Sequence, residues 1–151
     1  MGYFAGVMFL VALVSACGKA KDTINEVQNE WDVKGHWLMT ESINGSAVEK
    51  ALEKESMVLT FKDGKAVFEP TNSVKGKAVY ATLSNCVAGP RPYRAAKNQF
   101  VFEPVAGCGE IRIEVNALDN SQFRFADPDK PTVIRTFRRI DEPTYVALVK
   151  S

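Results

Sequence analysis

The sequence predicts an all-β domain: about eight antiparallel strands closed into an up-and-down barrel, with a short N-terminal helix and one inserted helix. From residue 35 onward, short stretches rich in β-branched and aromatic residues alternate with turn residues such as Gly, Asn, Asp and Pro. The links are short, and we find no internal repeat. Because antiparallel strands with little helix leave unpaired edges, closure into a barrel is expected. A barrel of this size is filled by side chains or holds one small ligand.

The composition is that of a globular protein with no strong overall charge. Hydrophobic residues make up 46% of the 151 residues and charged residues 25%, which is enough apolar material for a core. The 19 basic and 18 acidic residues give a net charge of +1. A net charge this small would not attract nucleic acid or an anionic membrane. We therefore predict no nucleic-acid partner.

The chain begins with an apolar segment that ends at a cysteine. Residues 3–16 carry no charge, but they are too few to cross a bilayer, which needs roughly 20 apolar residues. The segment has the size of a secretory signal. The five residues LVSAC that end at Cys17 resemble the lipobox of bacterial lipoproteins.

This resemblance implies that the thiol of Cys17 receives a diacylglycerol, that a peptidase cuts after Ala16, and that the new amino terminus is acylated. Several acyl chains anchor a protein stably, whereas one chain is marginal. Gly18 follows the cysteine where Asp would favour the inner membrane. We therefore expect residues 1–16 to be a signal peptide and the protein to be lipid-anchored in the bacterial cell envelope, at the outer membrane facing the periplasm. The alternative is a buried N-terminal strand with a chance cysteine.

Residues 17–34 read as a lipidated tether with one short helix. Thr23 and Glu26 have the spacing of a capping box, and Ile24, Val27 and Trp31 fall on one helical face. We expect this face to lie against the barrel domain, which we place at residues 35–151. A contact with a partner protein is the alternative.

The first half of the domain is predicted to hold four strands and the inserted helix. Residues 36–42 form the first strand, and residues 46–56 have apolar residues at helical spacing. Residues 57–61 and 65–69 form a hairpin across Lys62-Asp63-Gly64, because glycine accepts the positive φ of the turn. Residues 77–86 are predicted to be another strand.

The second half is predicted to contain the remaining strands. Residues 88–92 form a loop because their two prolines cannot donate to a sheet, and residues 93–96 and 99–103 follow as strands. Residues 111–116 alternate apolar and polar side chains, which predicts a strand with one wet face. The next strand directs Phe123 and Phe125 inward, and residues 132–140 close the series. No helix is predicted after Ile140.

Two of the three cysteines form an even pair once Cys17 is assigned to the lipid. Cys86 and Cys108 are therefore expected to form a disulfide in an oxidising compartment. Two free buried thiols and zinc ligation are the alternatives. Zinc is disfavoured because the single His36 and two cysteines 22 residues apart do not supply four closely spaced ligands.

The first strand opens with Gly35-His36-Trp37, which resembles the G-x-W motif of lipocalins. In that family a short helical turn precedes the strand, the tryptophan closes the barrel floor, and an arginine from the last strand packs over it. The resemblance implies a small lipocalin-like domain of the kind attached to bacterial lipoproteins. Arg135, Arg138 and Arg139 are the candidates for the arginine, and we assign the role to Arg138, with Gly35 and Trp37 completing the closure.

No catalytic arrangement can be assembled from recognised motifs. His36 is expected to be structural, and Asp127 with Asp129 is expected to serve a turn. We predict that the protein is not an enzyme and needs no metal and no cofactor.

Aromatic residues are the better lead to a function. Either they fill the barrel or they line a pocket for an apolar ligand. The candidate ligand-lining residues are Phe61, Phe68, Phe100, Phe102, Phe123 and Phe125. We therefore predict a non-catalytic barrel that binds a small apolar or amphipathic ligand or has a structural role. The alternative is an envelope protein-interaction module, such as an inhibitor of a cell-wall hydrolase, for which the loop 88–94 is a possible recognition edge.

Overall fold

The computed structural model describes residues 32–96 and 98–151. The predictions for the signal peptide, for Cys17 and for the helix between Thr23 and Trp31 lie outside the described residues. Within those residues, no helix is long and apolar enough to cross a bilayer.

The described residues form nine strands that pair only with antiparallel neighbours. Eight of them close into a barrel in the order β1, β3, β4, β5, β6, β7, β8, β9 and back to β1, so the predicted fold class is confirmed. The strands are β1 (Gly35–Asn44), β2 (Ala47–Lys50), β3 (Met57–Lys62), β4 (Lys65–Pro70), β5 (Arg91–Ala96), β6 (Gln99–Phe102), β7 (Ile111–Asp119), β8 (Gln122–Asp127) and β9 (Lys130–Ile140).

The hairpin between β3 and β4 is confirmed. Asp63 and Gly64 both have positive φ values, 52° and 72°, which is the geometry of a tight turn whose twist matches the two strands. The strands then pair in register from Lys62 opposite Lys65 to Met57 opposite Pro70.

The helix predicted at residues 46–56 is wrong. Gly45 takes a positive φ of 60°, so the chain turns back onto β1 and forms β2, with Val48 opposite Ile43. A single 3₁₀ turn, Glu53–Glu55, follows. All four residues of β2 are exposed, so the helical spacing of apolar residues does not correspond to a buried face. Pairing with the free edge of β1 determines the structure instead.

The strand predicted at residues 77–86 is also wrong. This region holds α1 (Val74–Tyr80) and α2 (Asn85–Ala88). The Ser73 hydroxyl caps α1 by accepting a hydrogen bond from the Gly76 amide. Val79, Tyr80 and Leu83 pack against the barrel core, so tertiary contacts, rather than β propensity, fix this segment.

A further helix follows the last strand, where none was expected. Asp141 caps α3 (Glu142–Tyr145) by accepting from the Thr144 amide, and Pro143 lies in the first turn. The chain continues as a π-helical turn, Val146–Lys150. Tyr145 and Leu148 pack outside the barrel on Leu38, Val58 and Ile140, which explains why these outward-facing strand residues are buried.

The barrel has two distinct ends. We call lower the end of the barrel at which β1 begins and β9 ends. The tight turns 62–65 and 119–122 lie at this end. At the end we call upper, β1 ends, β9 begins, and the helices α1 and α2 connect β4 to β5. Asp32 therefore joins the barrel at the lower end, whereas the helices cover the upper end.

Candidate functional site

The lower end is closed by Trp37, as predicted, but by a different arginine. The Trp37 side chain is fully buried, and its indole nitrogen donates to the Val33 carbonyl at 2.8 Å. Arg139, directly opposite on β9, places its guanidinium carbon 4.6 Å from the indole centroid. Arg138 instead forms a surface ion pair with Glu53. The assignment of Arg138 is corrected to Arg139, because side chains alternate across a strand.

The six phenylalanines proposed as ligand-lining residues fill the barrel. Each is at most 3% exposed, and four of the rings contact one another in sequence: Phe61 with Phe100 at 4.9 Å, Phe100 with Phe123 at 5.4 Å, and Phe123 with Phe125 at 6.1 Å between centroids. The contacts include tilted, edge-on and stacked pairs, all favourable for aromatic rings. Of the two arrangements that the sequence allowed, a filled barrel and a ligand pocket, the interior has the filled one.

Cys86 and Cys108 form the predicted disulfide at the upper end, next to an arginine that the sequence analysis did not single out as buried. Arg91 is 1% exposed and donates to the carbonyl oxygens of Cys86, Glu103 and Gly109. The disulfide and these hydrogen bonds together fix α2 to the 103–110 loop. The loop 88–94 is therefore a poor recognition edge, because one of its two arginines points into the protein.

A cleft of about 800 Å³ opens at the upper end, between β1, β2, α1 and β9. Its apolar lining consists of Met39, Ala47, Ala51, Leu52, Ala78, Val79 and Val133. Its charged lining consists of Lys50, Lys75, Lys130 and Arg135 with Glu49 and Glu55. The lining therefore combines apolar with charged side chains, which suits a ligand that has an apolar and a polar part. The predicted ligand-lining phenylalanines do not belong to this cleft.

Among the described residues that line the cleft, Arg135 is the only one with a buried charged side chain. Its side chain is 6% exposed and forms an ion pair with the buried Asp127: Nε and Nη2 donate to Oδ2 at 3.0 and 2.7 Å. Asp127 also accepts from the Asp129 amide, so its predicted turn role is confirmed. Nη2 donates as well to the Thr82 hydroxyl, which ties α1 to β9.

A signal for Arg135 was present in the sequence. Phe137 is buried in the barrel, so the two-residue period of a strand places Arg135 and Arg139 on the same face and Arg138 on the other. An arginine at an inward position of a barrel strand needs a buried partner. The identity of that partner depends on which strand lies alongside.

A second polar cluster lies outside the barrel, beneath the C-terminal helix. His36 joins Glu142 through Nε2 at 2.7 Å and Thr60 through Nδ1 at 2.9 Å. Its ring stacks on Tyr145 with centroids 3.8 Å apart. Because an ionised carboxylate only accepts, Nε2 is the donor to Glu142. The Tyr145 hydroxyl donates in turn to Glu69 at 2.8 Å.

The pKa shifts in this cluster follow from these contacts. The hydrogen bond from His36 lowers the pKa of Glu142 below its ordinary value of 4.5. Burial, followed by the hydrogen bond to Glu69, raises the pKa of Tyr145. The Thr60 hydroxyl, which would be the nucleophile in a Thr-His-Glu arrangement, is buried and donates to Glu69. These contacts join α3 to the outer face of β1, β3 and β4.

In the part of the chain that the structure describes, no group of three His, Cys, Asp or Glu side chains is placed to bind a metal. Comparison of the chain with protein-family models, with curated proteins and with solved structures found no match.

Proposed function

We propose that this protein is a lipid-anchored envelope lipoprotein whose non-catalytic, lipocalin-like barrel binds a small amphipathic molecule. The observation that carries the proposal is the upper cleft, where an apolar wall of β1, α1 and β9 residues meets a charged rim. An amphipathic molecule matches both surfaces, since its chain buries apolar area while its polar part stays near charged groups.

Because the barrel interior is filled, the proposed binding site lies at the upper end of the barrel and not at its centre. The aromatic core occupies the barrel interior, and α1 provides one wall of the cleft outside it. Ala78 and Val79 are the α1 residues on that wall. Their positions suit a ligand that lies along the helix.

The anchor is compatible with access to this cleft. Cys17 precedes Asp32 in the chain, and Asp32 joins the barrel at its lower end. β1 runs from there to the cleft over 10 residues, a length of roughly 30 Å in a strand. The chain that carries an acylated Cys17 would thus enter the barrel at the end opposite the cleft opening.

Mass spectrometry of the protein from native membranes tests the anchor. The expected amino-terminal peptide begins at Cys17 and carries the mass of a diacylglycerol and one further acyl chain. The Cys17→Ser variant should lack both the cleavage and the added mass. A mature protein that retains residues 1–16 without lipid would overturn the lipoprotein proposal.

Photo-labelling tests the cleft. The full lipidated chain in nanodiscs is irradiated with a ten-carbon alcohol that carries a diazirine at mid-chain, and the adducts are mapped by peptide mass spectrometry. Labels should fall on cleft residues and should be lost in Ala78→Trp, because the indole fills the cleft from an exposed helix position. Ala81→Trp, three residues along the chain and outside the cleft lining, is the matched control. Equal labelling of both variants would contradict ligand binding in the cleft.

A further inference from the structure

We infer that the upper cleft selects an anionic amphiphile, specifically a chain-bearing carboxylate, and that Nη1 of Arg135 is the group that recognises its head. This inference rests on the proposed function and names the class of ligand for the same site. Nη1 of Arg135, a buried side chain, has no strong hydrogen-bond acceptor among the described residues.

The five N–H groups of Arg135 are unequally satisfied. Nε and Nη2 donate to Asp127, and Nη2 also donates to Thr82. Within the described residues, the acceptor recorded for Nη1 is the thioether sulfur of Met39, at 3.7 Å. A thioether is a weak acceptor, so the two N–H groups of Nη1 lack a strong partner although the side chain is 94% buried.

A buried cationic donor without a strong acceptor is costly. Arg135 and Met39 both line the cleft, so an oxygen atom placed there can complete the hydrogen bonding of Nη1. A carboxylate oxygen is preferred to a neutral oxygen, because it adds Coulomb attraction to the guanidinium and to the cationic rim on top of the hydrogen bond itself.

The charge around the cleft also favours a single negative charge. Four cationic side chains line it, against two carboxylates. Lys75 is paired with Glu55 at 2.9 Å, and Arg135 is paired with Asp127 behind the cleft wall. Of the described charged residues that line the cleft, Lys50, Lys130 and Glu49 remain, which leaves a positive excess of one charge at the rim.

The apolar wall sets the direction of the ligand. With the carboxylate at Arg135, the chain lies along Met39, Val79 and Ala78 toward Leu52, which is 66% exposed at the cleft edge. Burial of an apolar chain against these residues contributes favourably in proportion to the area covered.

The test compares two probes on matched variants of the full lipidated chain in nanodiscs. The probes are a ten-carbon carboxylate and the ten-carbon alcohol, each with the same mid-chain diazirine. The carboxylate should reach half-maximal labelling of the cleft at a roughly tenfold lower concentration than the alcohol. This preference should persist in Met39→Leu, which removes the sulfur and leaves Nη1 free.

Two variants should abolish the preference while the alcohol still labels the cleft. Met39→Gln supplies an internal amide oxygen that occupies Nη1, and Arg135→Lys keeps the charge beside Asp127 but has no Nη1. The glutamine variant keeps the test decisive if the lysine variant does not fold. Equal labelling by both probes in the unsubstituted protein would overturn carboxylate selection and leave the binding function standing. If neither probe labels the cleft, both carboxylate selection and the binding function would be overturned. The same holds if residues before Asp32 cover the cleft and prevent labelling.

Discussion

Arg139 and Trp37 face each other across β9 and β1, with the guanidinium carbon 4.6 Å from the centroid of the indole ring. Nη2 of Arg139 also donates to the Asp32 carbonyl at 2.6 Å. This pair therefore closes the lower end of the barrel and fixes the chain just before it enters β1.

Removal of Arg139 is expected to destabilise the barrel more than removal of its neighbour. Arg139→Ala should lower the free energy of unfolding by about 1–2 kcal/mol, because it loses a cation-π contact and a hydrogen bond. Arg138→Ala loses a surface ion pair with Glu53 and should cost less than about 1 kcal/mol. Urea unfolding monitored by tryptophan fluorescence measures both. The reverse order of the two effects would restore Arg138 as the closing residue.

Replacement of Glu142 is expected to have a pH-dependent effect on stability. The pKa of Glu142 is lowered in the folded protein, chiefly by the hydrogen bond from His36. Its stabilising contribution is therefore present above its ordinary pKa of 4.5 and is lost as the pH falls through the lower folded value. Glu142→Gln should be less stable than the unsubstituted protein at pH 7, and the difference should shrink below about pH 4.5.

The control for this prediction is the same substitution in a His36→Gln background. Without the imidazole, Glu142→Gln should lose most of its pH-dependent effect, because the two residues act as a coupled pair. Denaturant unfolding from pH 3 to pH 7 supplies the data. A difference that stays constant over this range in the presence of His36 would refute the coupling.

Replacement of Gly76 by alanine is expected to disturb the junction between α1 and the barrel. A Cβ at Gly76 would lie 2.1 Å from the Thr71 hydroxyl oxygen and 2.9 Å from the Ser56 carbonyl oxygen. Thr71 already uses that hydroxyl in hydrogen bonds with Ser56 and Lys54. Gly76→Ala should therefore cost about 1–3 kcal/mol, although alanine ordinarily favours a helix.

The control is Gly109→Ala, since a Cβ there has no atom within 4 Å in the described structure. It should change the free energy of unfolding by less than about 0.5 kcal/mol. Thermal unfolding of the two variants in parallel provides the comparison. If the two substitutions prove equally mild, the tight contact at Gly76 is not a constraint on the fold.

Removal of the disulfide is expected to weaken the upper end of the barrel. The Cys86→Ser/Cys108→Ser variant opens a loop of 22 residues and should lose about 3 kcal/mol of stability. Hydrogen exchange should rise most in α2 and in the 103–110 loop, because the variant loses the covalent link between them and keeps the Arg91 hydrogen bonds. Uniform exchange over all strands, with no local increase, would contradict this local role.

Local sequence patterns determined much of the barrel. The alternation in β7, the inward phenylalanines of β8, and the Asp63-Gly64 turn each depend on side-chain direction or a local backbone preference. The cysteine count, with Cys17 assigned to the lipid, predicted the disulfide between Cys86 and Cys108. In the same way, the two-residue period of β9, counted from the buried Phe137, excludes Arg138 from the inward face and leaves Arg135 and Arg139.

Only the tertiary structure decided the elements and sites that depend on distant partners. Residues 47–50 pair with the free edge of β1, residues 74–80 form a capped helix over the core, and residues 142–150 pack on Leu38 and Val58. Likewise, the cleft and the incomplete hydrogen bonding of Arg135 arise where β1, α1 and β9 meet. The physical reason is that such contacts join residues far apart in the chain, whereas a sequence pattern reports only the preferences of neighbouring residues.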